Sequence, residues 1–121
     1  MDPLRLIGYW ADDQHPEYPN PAALVDESWD RAERQDVWWY LISGTRTLAA
    51  FMGPSPCRMC AEDNGSGEFT DGIYAWPEGL AHYVREHGVR LPDAFVHHAL
   101  ARHREVAQRE MDLSWWLAHA R

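Results

Sequence analysis

The chain of 121 residues contains no lysine; its eleven cationic residues are all arginine. That absence excludes a lysine nucleophile and Schiff-base chemistry. Cysteine is almost as scarce, with only Cys57 and Cys60 in the whole chain, too few for a disulfide-stapled scaffold. Long apolar runs are missing as well, and nothing approaches the ~18 residues that a membrane helix needs. The opening stretch MDPLRLIGYWADD is neither basic nor followed by a long apolar run, so it does not read as a secretory signal. The expected location is the cytoplasm, where a close cysteine pair is more often a metal or redox site than a disulfide. Positive charge is in deficit too: eleven cations against nineteen anions leave a net charge of −8. An acidic surface repels phosphate backbones, and the arginines form no basic run, so general nucleic-acid binding is not expected.

What the chain does have is aromatic bulk: seven Trp, five Tyr and three Phe, enough for much of the core of one small domain spanning 1–121. Leu4–Trp10 alternates weakly and reads as a short strand. A Pro-rich loop follows. From Asn20 to Gly44 apolar residues recur at helical spacing. Asn20 is placed to cap, Pro21 to occupy the first turn, and Gly44 to close the far end. Asp30 can cap a second helix, which predicts one kinked helix or two short ones. TRTLAAFM reads as a strand ended by GPSPC. Asp71-Gly72 reads as the central pair of a type I′ hairpin turn, since that turn needs φ > 0. Pro77 then opens a helix that Gly88 ends, Pro92 opens another, and DLSWWLAHAR forms a last short helix capped by Asp112 or Ser114. The fold class expected is therefore α+β: a small, mostly helical single domain with a short β-hairpin beside a cysteine knuckle. The knuckle, hairpin and following helix form a substructure over 53–91, with further helices over 92–121.

Chemistry concentrates between residues 56 and 88. Cys57 and Cys60 form a C-x2-C pair, a spacing that lets a tight turn aim two sulfurs at one point ~2.3 Å from a zinc ion. Gly53, Pro54 and Pro56 suit a sharp knuckle. His82 and His87 supply two imidazoles, but residues five apart on a regular helix point ~140° apart. Gly88 relieves this, because a loosened last turn can swing His87 round. The expected ligand set is Cys57, Cys60, His82 and His87 around one structural Zn²⁺, neutral overall if both imidazoles are neutral. The order of cysteine turn, hairpin and histidine-bearing helix resembles treble-clef and zinc-finger sites. Glu62, Asp71, Glu78 and Glu86 are near enough in sequence to orient a ligating histidine.

PSPCRMC also carries the P-C-x-x-C half of the zinc nucleobase deaminase signature, and His15-Pro16-Glu17 matches its H-x-E half. The resemblance covers these short motifs only. It implies a catalytic zinc held by His15, Cys57 and Cys60, with Glu17 moving protons. The sequence departs from that family where Pro16, Pro19 and Pro21 interrupt one required helix and AEDNGSGEF replaces the other.

Three functions remain open at this stage. The first is a zinc-stabilised interaction or regulatory module whose acidic, tryptophan-bearing surface engages another protein, with no catalytic residues. The second is a zinc hydrolase or deaminase. The third is a small-molecule binder using Trp10, Tyr18 and Trp76. In each of the pairs Trp38-Trp39 and Trp115-Trp116, one ring is expected in the core and the other nearer the surface, where it can anchor a partner. His97, His98 and His103 are expected as exposed helix positions.

Overall fold

A computed structural model describes residues 1–50 and 55–120, with side chains for all of these but 48–50. It is an α+β domain in which a four-stranded mixed sheet packs with helices. Strand β1 is Arg5–Leu6, β2 Thr45–Ala50, β3 Gly67–Thr70 and β4 Tyr74–Pro77. Their order across the sheet is β1-β4-β3-β2. β1 runs parallel to β4, and the other two pairings are antiparallel. Phe51, Met52, Gly53 and Pro54, read above as the strand's end and the approach to the knuckle, lie outside the described residues.

β4 is an interior strand, and Tyr74, Ala75 and Trp76 are buried in succession. Side chains alternate between faces, so this strand is covered on both sides. Trp76 is 1 % exposed and its indole N–H donates to Leu41 O at 3.1 Å, which fixes the sheet to a helix. That helix, α1, spans Arg31–Ile42, with the Asp30 carboxylate capping the N–H of Glu33 as its sequence position predicts. The preceding Asn20 does cap, but what it caps is a single 3-10 turn, Pro21–Leu24. Thus the two-piece alternative holds for this region, with Ser43 rather than Gly44 at the far cap.

Two details of the hairpin differ from expectation. Only Gly72 has positive φ, at +93°, while Asp71 does not, so Asp71-Gly72 is not a type I′ central pair. Asp71 instead flanks the turn and its Oδ1 accepts the N–H groups of Ile73 and Tyr74. Pro77 ends β4 opposite Glu68 rather than opening a helix. Helix α2 therefore starts later, over Leu80–His87, and Gly88 closes it in the left-handed conformation.

Helix α3, Asp93–Ala107, packs on α1 and sends Phe95, Val96, Ala99 and Leu100 into the core. The last helix, α4 (Ser114–His119), buries none of its residues. Its Trp115 and Trp116 are 66 % and 60 % exposed, so neither joins the core, unlike the split expected of that pair. Trp38 and Trp39 do split, with Trp38 packed against the core and Trp39 46 % exposed. Among the described residues no helix is long and apolar enough to cross a membrane.

Candidate metal centre

Residues 55–65 form a knuckle. Ser55 and Gly65 are joined by a backbone hydrogen bond, Pro56 bridges Asp63, and Cys57 N–H donates to Glu62 O at 2.8 Å. Inside it Ala61 N–H reaches back to Cys57 O, and Met59 N–H points at Cys57 Sγ at 3.3 Å. Within the turn Ala61 adopts φ +61°, the one non-glycine residue with positive φ among those described. Such a conformation costs roughly 1–2 kcal/mol for a residue with a Cβ. Strain of that kind concentrates at functional sites. Nothing in the sequence announced it, since alanine is not a residue that favours this region.

Tyr83 of α2 docks the knuckle. Its hydroxyl oxygen accepts Arg58 N–H at 2.8 Å, and burial raises its pKa above the usual tyrosine value. The same helix carries both histidines. Its final turn is widened: the N–H groups of Gly88 and Val89 both reach Tyr83 O, five and six residues back instead of four. The exit is then held by Asp26 N–H on Gly88 O, Arg90 N–H on Leu24 O and an Arg90–Asp26 ion pair of 2.8 Å. This wider turn brings the His87 ring to 5.1 Å from that of His82, overcoming the unfavourable spacing.

The outcome is one cluster. Donor atoms of Cys57, Cys60, His82 and His87 all lie within 4.8 Å of one another. Cys57 Sγ is 3.5 Å from His87 Nε2, and Cys60 Sγ is 3.3 Å from His82 Nε2. A tetrahedral ion bound at ~2.3 Å to sulfur and ~2.05 Å to nitrogen sets those atoms ~3.5 Å apart, so the spacing fits a metal ion. Cys57 is buried, the two histidines are half-buried and Cys60 is exposed. Although the Glu62 N–H favours the Cys60 thiolate, desolvation and the adjacent Cys57 sulfur outweigh it and raise the thiol pKa. A bound cation reverses that penalty, because it attracts both thiolates at once.

Of the four carboxylates considered as orienting groups, Glu62 faces the site, with Oε2 at 3.9 Å from His82 Nδ1. Glu78 is engaged by Gly67 N–H and Arg46, Glu86 by Arg85, and Asp71 by Tyr40 and His98. His15 lies outside the cluster. It pairs with Glu17 at 3.5 Å and stacks on Tyr18, so the H-x-E motif is assembled with itself rather than with the cysteines.

A cleft of about 950 Å³ is lined by Trp10, Tyr18 and His15 together with Arg58 of the knuckle; Trp76 sits in the core instead. His97 is exposed as expected, and His103 lies 3.7 Å from Asp36. His98 is not a free surface residue: it is 19 % exposed and 2.7 Å from Asp71 Oδ2. The chain matches no family model, no curated protein and no solved structure.

Proposed function

We propose that the protein is a zinc-stabilised interaction module, in which Zn²⁺ held by Cys57, Cys60, His82 and His87 fastens the knuckle to α2. The carrying observation is the four-donor cluster with both Nε2–sulfur distances at tetrahedral values. Two thiolates with two imidazoles suit zinc, a borderline-soft ion with no geometric preference of its own. Four protein donors fill a tetrahedral shell and leave no position for a reactive water, which favours a structural role. Cysteine turn, hairpin β3–β4 and helix α2 follow one another in the order of a treble-clef-like site. The metal adds folding free energy to a core of modest size.

The partner we assign is another protein. A net charge of −8 steers toward basic surfaces, and the exposed Trp39, Trp115 and Trp116 are the residue type that dominates binding hot spots. The test is zinc content by atomic emission for the parent and for His15→Ala, His82→Ala and His87→Ala. Zinc should fall in the last two variants and stay stoichiometric in His15→Ala. If His15→Ala alone empties the site, the module reading fails, and a catalytic ion of the deaminase kind replaces it.

A further inference from the structure

Two surfaces have no covering element among the described residues, and their chemistry is complementary. The first is a shallow groove of about 650 Å³ on α1 and α2, lined by Arg31, Arg34, Gln35, Trp38, Trp39 and Arg85. Three of those six residues are cations and none is an acid, on a chain whose net charge is −8. Arg85 lies 4.6 Å over the Trp38 ring and 3.8 Å from Glu86 just outside the groove. Arg34 is spent on the carbonyls of Val84 and Arg85, whereas Arg31 makes no ion pair among the described residues. Trp38 and Trp39 meet edge to face at 4.9 Å and form the apolar floor.

The second surface is α4. Leu113, Trp115, Trp116 and Leu117 are each at least 60 % exposed. A helix of six residues is marginal in water and holds its shape only when its apolar face is covered. Exposed apolar area of this density marks an interaction site. Glu110 and Asp112 stand at its leading end, so the segment is acidic where it begins and apolar where it continues.

We propose that α4 of a second copy seats in the α1–α2 groove, Trp116 against Trp38 and Trp39, Asp112 against Arg31, and that the exchange is reciprocal. Each copy then gives one helix and receives one, which closes the assembly as a two-fold dimer. Aromatic anchors provide affinity, and the acid–arginine pairing sets the direction of the docked helix. The proposal rests on the interaction-module reading and names a second copy as the partner met by Trp39 and Trp116, the local arginines of the groove rather than the net charge setting the pairing. It does not depend on the zinc, because neither surface contains a metal donor.

Sedimentation velocity of the full chain across micromolar concentrations tests it. The parent should show a reversible monomer–dimer equilibrium. Trp116→Ala should raise the dissociation constant about tenfold or more, as loss of a central aromatic does. Arg31→Glu and Asp112→Arg should each weaken the dimer, and the double variant should recover part of the loss. Unchanged far-UV circular dichroism and zinc content in every variant separate lost association from lost folding. A parent that stays a single chain at all concentrations, with α4 free or folded on its own α1, overturns the proposal. So does a dimer that is indifferent to Trp116→Ala, or single charge reversals with no mutual rescue.

Discussion

Gly88 donates its backbone N–H to the carbonyl of Tyr83, five residues back, and in doing so turns His87 toward Cys57. The left-handed φ of +65° at Gly88 makes the wide turn possible. An alanine there has room, with Arg34 Nη1 3.8 Å from the added carbon, so its cost is conformational rather than steric. Gly88→Ala should lose about 1 kcal/mol of stability. It should also weaken zinc affinity severalfold, measured by competition with a chromophoric chelator.

Ala61 is the converse case. With φ at +61°, it pays for a conformation that glycine adopts freely. Ala61→Gly should raise the unfolding free energy by roughly 0.5–1 kcal/mol and leave zinc stoichiometry unchanged. Ala61→Val should lower both, because a β-branched residue tolerates positive φ worst. Chemical denaturation of the three proteins in excess zinc gives the comparison.

Asp71 makes a prediction about acid. Its side chain is 7 % exposed, and its Oδ2 meets His98 Nε2 at 2.7 Å and Tyr40 OH at 2.5 Å. Burial raises the carboxyl pKa, but hydrogen bonds from Tyr40, Tyr74 N–H, Ile73 N–H and His98 outweigh it and bring the value from 3.8 to about 2. A folded value below the unfolded one means stability that is complete above the unfolded pKa and lost as pH falls through the folded one. Asp71→Asn should therefore cost about 2 kcal/mol near neutrality. The gap between parent and variant should narrow between pH 4 and pH 2. Urea melts of both proteins across that range check it, since acid effects common to the two cancel in the difference.

Removal of the metal should be felt by the whole domain, because Cys57 and Tyr83 belong to the same buried core as Trp76 and Phe95. At free zinc a thousandfold above the dissociation constant, binding supports the fold by about 4 kcal/mol. Chelation should accordingly lower the melting temperature by on the order of 10 °C. Calorimetry with and without chelator reads the shift, and added zinc should reverse it.

The four donor residues that could hold a metal ion were legible as a group because their signals are local: a C-x2-C pair, a histidine pair and the glycine that follows the second histidine. Helix α1 was legible for the same reason, with Asp30 as its cap. Long-range choices were not. Pro77 is as suitable for a first helical turn as for a strand end, and only its pairing with Glu68 decides in favour of the strand. The parallel contact of β1 with β4 depends on residues nearly seventy positions apart in the chain, Arg5 against Tyr74. His98 looked like a surface residue because its partner, Asp71, lies on the hairpin and not on the helix. The strain at Ala61 had no signature in the residue type at all.

X-ray absorption at the zinc edge of the purified, reduced chain tests the central claim most directly. The account predicts one zinc per chain with two sulfurs at ~2.3 Å and two imidazole nitrogens at ~2.0–2.1 Å. A shell containing a water oxygen in place of one imidazole, a single sulfur, or protein that binds no zinc would contradict it.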